Sequence, residues 1–295
     1  FGIQDKDHPI LEFQPANKAY QSTSLLGFRT FLNGSRNSEN WACEAFSPWD
    51  AQPVKRTMMI GMNEFEIQEV HHALGYQINV LYFLLPDMPF SGLVRQVKLR
   101  NIGTGSLALE ILDGLPVIVP HGINNDFLKH MGRTIEAWMC VDNLDQDLPF
   151  YRLKATPGDT TDVQAIQAGN FAVSFSGEQS HPAIADPKVI FGMDTGCSKA
   201  HLFHERGLAA LKAAEQITEG HAMCAFFGAD CHLAEGETRT LTSLFGYSNA
   251  LPVIQAFSQT TLNEAFIEQK LSDARKITRD LTEDVKTQSG SSSFD

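Results

Sequence analysis

The sequence predicts a mainly β protein, in which a large antiparallel β-sandwich is followed by a long amphipathic helix. Short runs of strand-like composition recur throughout the 295 residues. Turn-forming residues separate these runs, and no long helical segments alternate with them, which argues against a doubly wound parallel sheet. About a dozen strands at this spacing predict a large sandwich.

Each predicted strand shows either period-two alternation or a short apolar run. The connections between them carry turn-forming residues such as Asn-Gly at 33–34 and Pro-Gly-Asp at 157–159, which favour a reversal of chain direction. The predicted strands are 24–32, 56–62, 64–70, 75–84, 93–100, 106–112, 134–141, 150–156, 171–176, 223–227 and 239–247.

Two segments are predicted to be helical. Residues 205–216 are rich in alanine and leucine, which predicts a short surface helix. Residues 261–285 carry apolar side chains at helical spacing, which predicts a long helix that packs on this domain or on a following one. We therefore expect a sandwich over 1–258, a linker helix over 259–288 and the start of a connection to a further domain over 289–295.

The most informative stretch is 90–123, where alternating residues flank a loop that holds Gly103 and Gly105. A short loop with two glycines predicts a β-hairpin. Symmetric closure of this hairpin places Arg95 opposite Asp113 on the apolar face. Charges in that setting need partners, so the two residues form either a structural ion pair or part of a polar pocket at the end of the sheet.

The composition argues against several classes of partner. A net charge of −12 disfavours nucleic acids and anionic membrane surfaces, because both attract basic proteins. The chain has no apolar run of transmembrane length and no signal-like start. Its five scattered cysteines do not predict a disulfide framework and favour a cytoplasmic setting. Because the chain opens on Phe1, we expect it to be a piece of a longer polypeptide.

One grouping contains the residue types that bind metals, namely His221, Cys224, Cys231 and His232. Its spacing matches no standard zinc pattern. Cys224 lies in an apolar run, where cysteine behaves as a small hydrophobic residue. We therefore predict a structural role for this grouping.

Histidines elsewhere could supply acid–base groups. His71 and His72 lie near glutamates at the end of a predicted strand, and we interpret this region as solvated surface rather than as a catalytic site. His121 is a better candidate because loops at sheet ends carry function. It follows the corner that begins at Asp113 and Gly114.

The three tryptophans allow two interpretations. Trp41 and Trp49 flank a loop-like stretch, and their rings either stack on sugars or anchor the loop to the core. Trp138 lies in a predicted strand at a position that period-two alternation places on the apolar face, so it is predicted to be core. No nucleotide-binding loop, nucleophile elbow or kinase signature occurs, so the sequence predicts no self-contained catalytic centre.

Six segments of the amino-acid sequence resemble one family of carbohydrate-active enzymes. The resemblance covers FGIQDKDHPILEFQPANKAYQ (1–21), IGMNEFEI (60–67), NVLYFLLPDMPFSGLVRQVKLRNIG (79–103), LEILDGLPVIVPHGI (109–123), RTIEAWMCVDNL (133–144) and PFYRLKATPGDT (149–160). These segments resemble the amino-terminal region of long-chain members of glycoside hydrolase family 94. Those members are similar to 1,2-β-oligoglucan phosphorylase and are often labelled cellobiose phosphorylase-like.

The resemblance implies a β-supersandwich of the galactose mutarotase type, a helical linker and a following α/α-barrel catalytic domain. Such enzymes cleave a β-glucosidic bond with inorganic phosphate and invert the anomeric centre, giving α-glucose 1-phosphate. One carboxylic acid of the barrel protonates the leaving oxygen, and no metal or organic cofactor is needed. This chain would then support the barrel in a homodimeric parent enzyme, whose barrel binds β-linked gluco-oligosaccharide and phosphate.

In this family the loops of the sandwich lean over the mouth of the barrel. The candidates for the substrate side or the domain interface are accordingly Arg95, Asp113, Gly114, His121, Trp41 and Trp49.

Three alternatives remain open at this point. The chain could be a carbohydrate-binding or oligomerisation module, which would bind glycans in isolation. It could be a mutarotase-like epimerase, which would accelerate the interconversion of sugar anomers. It could also belong to the phosphorylase-like region of a cyclic β-1,2-glucan synthase, which shares the same order of domains.

Overall fold

The computed structural model describes residues 9–11, 16–49, 54–157, 164–283 and 289–291. Antiparallel strands dominate it, which confirms the predicted mainly β class. The strands are β1 (Arg29–Arg36), β2 (Glu39–Ala45), β3 (Lys55–Ile60), β4 (Glu64–His71), β5 (Tyr76–Leu84), β6 (Ser91–Asn101), β7 (Leu107–Ile118), β8 (Met139–Asp142), β9 (Phe150–Leu153), β10 (Gly169–Ser176), β11 (Gln179–Ser180), β12 (Ala183–Ile184), β13 (Met223–Leu233) and β14 (Thr238–Ser248). The α-helices are α1 (Ala16–Leu26), α2 (Asn125–Glu136), α3 (Pro187–Phe191), α4 (His201–Lys212), α5 (Leu251–Thr260) and α6 (Glu264–Glu283).

Two sheets face each other and enclose the core. A five-stranded sheet has the order β12-β13-β7-β1-β2, and a nine-stranded sheet has the order β3-β4-β5-β6-β14-β10-β9-β8, with β11 paired to β10. Buried side chains such as Val97 of β6 and Leu109 of β7 meet between the sheets. Helices α3 and α4 pack on the outer face of the five-stranded sheet, while α5 and α6 pack on the outer face of the nine-stranded sheet.

The stretch 90–123 does not form the predicted hairpin. Strand β6 pairs with β5 and β14, whereas β7 pairs with β1 and β13, so the two strands lie in different sheets. Other loops hold the glycine-rich connection between them. The N–H groups of Ile102 and Gly103 donate to the carbonyl of Gly75 at 2.9 and 3.1 Å. The connection therefore carries the chain from one sheet to the other. These two hydrogen bonds hold its backbone against a loop of the nine-stranded sheet.

Two of the predicted strands begin with helical residues. The predicted strand 24–32 starts within α1, and 134–141 starts within the last turn of α2. Helix α2 is capped by Asn124, whose side chain accepts a hydrogen bond from the Phe127 N–H at 2.8 Å. Asp126 lies in its first turn and Arg133 in its last, which complements the helix dipole. Capping therefore outweighs the alternation that suggested a strand.

The long helix predicted at the end of the chain is α6, and it is preceded by α5, which the sequence analysis did not predict. Ile267 and Ala274 of α6 are buried against the outer face of the nine-stranded sheet. The helix therefore packs on this domain. Farther along it, Ile277 and Leu281 are 42% and 67% exposed. None of the helices in the described ranges is long and apolar enough to cross a membrane.

Candidate functional site

Arg95 and Asp113 form a buried ion pair between the two sheets. Arg95 Nε donates to Asp113 Oδ2 at 2.9 Å, and Arg95 Nη2 donates to Oδ1 at 2.7 Å. The hydroxyl of Thr30 bridges the pair, since it accepts from Nη2 at 2.8 Å and donates to Oδ1 at 2.6 Å. The predicted proximity of Arg95 and Asp113 is confirmed, but they meet across the sandwich and not along a hairpin.

Aromatic side chains complete the surroundings of Arg95. The guanidinium carbon lies 5.0 Å from the centre of the Phe28 ring and 5.1 Å from that of Tyr82, and the Tyr82 hydroxyl also accepts a hydrogen bond from Nη1. Both oxygens of Asp113 are hydrogen-bonded. This closed geometry fits a structural ion pair that ties β6 to β7, because a ligand would have to displace these contacts.

Gly114 and His121 lie in different parts of the sandwich. A Cβ atom on Gly114 would lie 1.9 Å from the carbonyl oxygen of Ala225 on β13, so this close approach of β7 and β13 requires glycine. His121 donates its N–H to the carbonyl of Tyr151 on β9 at 3.1 Å, and its ring centre lies 4.8 Å from that of Tyr247. His121 therefore lies beside β9 of the nine-stranded sheet, whereas Gly114 lies within β7 of the five-stranded sheet.

The tryptophans occupy three different settings. Trp41 of β2 is half-buried and stacks on Tyr76, with ring centres 5.7 Å apart and an interplanar angle of 20°. Trp49, which follows β2, is 64% exposed. The prediction that Trp138 is core is wrong, since it is 40% exposed. The physical reason is that Trp138 follows the end of α2 and does not lie within a strand.

The sequence analysis interpreted the strand end around His71 as solvated surface. This is wrong for Glu69 and His71, since both residues are buried. Glu69 accepts hydrogen bonds from the Tyr76 hydroxyl at 2.9 Å and from Arg56 Nε at 2.8 Å. The N–H of Phe46 also donates to this carboxylate at 2.8 Å. Burial raises the pKa of the Tyr76 phenol well above its usual range. These contacts satisfy the carboxylate, so the cluster is held together from within.

The cysteine and histidine grouping does not converge on one point. The Sγ of buried Cys224 donates to the carbonyl of Ile184 at 3.2 Å, and burial raises the pKa of this thiol. His221 instead lies 3.4 Å from a carboxylate oxygen of Asp186. Across the ranges that the structure describes, no group of three or more His, Cys, Asp or Glu side chains could hold a metal ion.

A cleft that the sequence analysis did not predict lies on the outer face of the five-stranded sheet, beside α4. Its volume is about 690 Å³, and we call it the outer cleft. Asn33 of β1, Glu110 of β7 and Asp230 of β13 occupy directly opposed positions across neighbouring strands and form its floor. The lining includes Asn33, Asn40, Trp41, Glu110, His204, Glu205, Arg206, Gly207, Asp230 and His232.

Asn33 connects the floor of the outer cleft to α4. Its side-chain amide donates to Glu110 Oε2 at 3.0 Å and to the carbonyl of Phe203 at 3.1 Å. Its oxygen lies 2.8 Å from His204 Nδ1, and an amide oxygen can only accept, so this network assigns the proton to Nδ1. Burial lowers the pKa of His204 to about 4. The ring is therefore neutral at pH 7, and Nε2 is a hydrogen-bond acceptor.

Helix α4 is interrupted where it passes the floor of the cleft. Gly207 has a φ of 77°, a conformation that glycine adopts without strain. A Cβ atom at this position would lie 3.2 Å from Glu110 Oε1. The glycine therefore leaves room for the Glu110 carboxylate beneath the helix.

Part of the outer cleft could have been predicted from the sequence. Period-two alternation places Asn33, Glu110 and Asp230 on the outer faces of their strands. Their convergence depends on the order β13-β7-β1 and on the register between these strands. Both are set by contacts between residues far apart in the chain.

Comparisons with protein-family models and with curated proteins give no match. Among solved structures, the chain is similar to a polysaccharide lyase, with a TM-score of 0.42 and 14% sequence identity. The alignment covers 82% of this chain and 29% of that protein. Because the chain spans less than a third of the lyase, a shared activity does not follow from the match.

Proposed function

We propose that this chain is the amino-terminal β-supersandwich of an inverting β-glucan phosphorylase, and that it supports a catalytic barrel without catalysing alone. The observation that carries the proposal is the ordered resemblance of six segments between positions 1 and 160 to long-chain members of glycoside hydrolase family 94. The two-sheet sandwich followed by α6 has the architecture that this resemblance implies.

The chemistry of phosphorolysis explains why the sandwich would need a barrel. A phosphate oxygen attacks the anomeric carbon of the sugar while the bond from that carbon to the glycosidic oxygen breaks. A carboxylic acid gives its proton to the departing oxygen. The reaction therefore needs a site that binds phosphate and a free acid. Asp113 and Glu69 are buried and already bound by arginines, which supports a structural role for both.

The surface of α6 supports a domain interface. Its first part is anchored to the sandwich by Ile267 and Ala274, whereas Ile277 and Leu281 expose apolar surface. These exposed residues lie four positions apart and therefore on one side of the helix. A barrel packed against this side would bury them.

The proposal is tested by phosphorolysis with the full-length polypeptide. The enzyme is incubated with inorganic phosphate and β-1,2-gluco-oligosaccharides, and the sugar phosphate is followed by ³¹P NMR, which distinguishes the two anomers. We expect α-glucose 1-phosphate from the full-length polypeptide and none from residues 1–295 alone. Absence of sugar phosphate with β-1,2-, β-1,3- and β-1,4-linked substrates would contradict the proposal. Release of the β-anomer would contradict the inverting mechanism.

A second candidate function is carbohydrate binding by the chain itself, which the outer cleft favours. A mutarotase-like activity is the third. It predicts that residues 1–295 alone accelerate the interconversion of glucose anomers, which polarimetry measures directly. A rate equal to that of buffer would eliminate this candidate.

A further inference from the structure

The outer cleft has the dimensions and lining of a small-molecule site. Its volume of about 690 Å³ lies within the range of roughly 300–1,000 Å³ that is typical of ligand pockets. Apolar surface from Ala42 and Ala108 adjoins polar groups from both the sheet and α4. The ring of Trp41 stacks on buried Tyr76 between the sheets, so it lies on the other side of the sheet from the polar groups of the floor.

The polar groups of the outer cleft are mainly hydrogen-bond acceptors. Glu110, Glu205 and Asp230 bring three carboxylates to the lining, and Arg206 is its one permanently charged cation. His204 is neutral at pH 7 because burial lowers its pKa to about 4. The lining therefore repels phosphates and uronates and suits a ligand that brings hydrogen-bond donors.

Two of these side chains are held in fixed positions by Asn33, and each still has one acceptor atom available to a ligand. Asn33 binds Glu110 through Oε2 and His204 through Nδ1. Within the part of the chain that the structure describes, Glu110 Oε1 and His204 Nε2 have no hydrogen-bond partner. An acceptor that is fixed in advance loses little conformational entropy when a ligand binds.

From this geometry we infer that the outer cleft binds a neutral oligosaccharide. Sugar hydroxyls supply the donors that the acceptors on the floor and on α4 require. Carboxylates and amides that hydrogen-bond to hydroxyls give such a site its orientation. The site is distinct from the buried Arg95–Asp113 pair, which lies between the sheets. Only the choice of a β-glucan as the preferred oligosaccharide rests on the proposed function.

The test is isothermal titration calorimetry of residues 1–295 with four probes, namely β-1,2-glucotetraose, maltotetraose, inorganic phosphate and spermidine. We expect saturable binding of β-1,2-glucotetraose with a Kd on the order of 1 mM and no binding of phosphate. The substitutions Glu110→Gln and Asp230→Asn keep the shape of the floor but remove its charge. Each is expected to weaken binding about tenfold, since a hydrogen bond to a charged group is lost or weakened.

The matched control is Glu268→Gln, at an exposed position of α6 outside the outer cleft. This substitution is expected to leave the Kd unchanged. Urea unfolding of each variant shows whether it is folded, and only variants as stable as the parent are compared. The inference is overturned if neither tetraose binds up to about 20 mM. It is also overturned if both floor variants bind as the parent does, or if spermidine binds and the sugars do not.

These outcomes separate the inference from the proposed function. If the full-length polypeptide releases α-glucose 1-phosphate but residues 1–295 bind neither tetraose, the inference fails and the proposed function stands. If maltotetraose binds in the outer cleft and phosphorolysis of β-glucans is absent, the oligosaccharide site stands and the proposed function fails.

Discussion

The ion pair between Arg95 and Asp113 makes a quantitative prediction about stability. Replacing Asp113 with leucine removes three hydrogen bonds to the carboxylate, two from Arg95 and one from Thr30. The side chain of Arg95 is only 2% exposed, so its charge would be left buried without a partner. Breaking one half of such a pair costs about 3–5 kcal/mol. We expect Asp113→Leu and Arg95→Met each to lower the free energy of unfolding by that amount.

The double substitution Arg95→Met/Asp113→Leu is expected to cost much less than the sum of the two single changes. It leaves no unpaired charge, and apolar replacement of a buried ion pair is often close to neutral. We expect a total loss of about 2 kcal/mol or less, which implies strong coupling between the two sites. The control is Glu64→Ala, because the partly exposed pair of Glu64 and Arg275, at 2.9 Å, contributes less than about 1 kcal/mol.

The measurement is urea unfolding followed by tryptophan fluorescence and circular dichroism, whose transitions must coincide for a two-state interpretation. Single substitutions that each cost less than about 1 kcal/mol would refute the buried ion pair. Additive effects in the double variant would refute the coupling across the sandwich.

Three further predictions concern packing and pH. Gly114→Ala would bring a methyl group against the Ala225 carbonyl and should lower the free energy of unfolding by about 3 kcal/mol; an unchanged urea midpoint would contradict the close approach of β7 and β13. Ile267→Ala on α6 should cost about 2–4 kcal/mol, whereas Ile277→Ala should cost less than about 0.5 kcal/mol, and equal urea midpoints would contradict the docking of α6. Burial lowers the pKa of His181 from 6.5 to about 4, so the unfolded chain binds the extra proton more readily between these values. Stability should be constant with respect to this group above pH 6.5 and fall as the pH drops towards 4; His181→Gln should flatten the decline measured by thermal unfolding, and an unchanged slope would contradict the assignment.

The alternation of side chains identified most strands of the fold because it is a local property. It failed at α2, where the Asn124 cap favours a helix. For this reason the alternation around Trp138 wrongly placed this residue on the inner face of a strand. It also failed at the loop that holds Gly103, because a flexible glycine-rich segment is compatible with a hairpin or with a crossing between sheets. Among the candidate residues, the contact between Arg95 and Asp113 was correct for a reason other than the one that predicted it. Both side chains point inward from their own sheets, and the two inner faces meet.

By itself, the sequence determined the strand-rich class, the final helix and the inward direction of the Arg95 and Asp113 side chains, since each follows from residue periodicity. The tertiary structure decided which strands share a sheet. It therefore decided that Asn33, Glu110 and Asp230 lie side by side on the floor of the outer cleft. The physical reason is that strand pairing is non-local: a period-two strand presents the same two faces to any neighbour, and only packing of the whole sandwich selects the neighbour and the register.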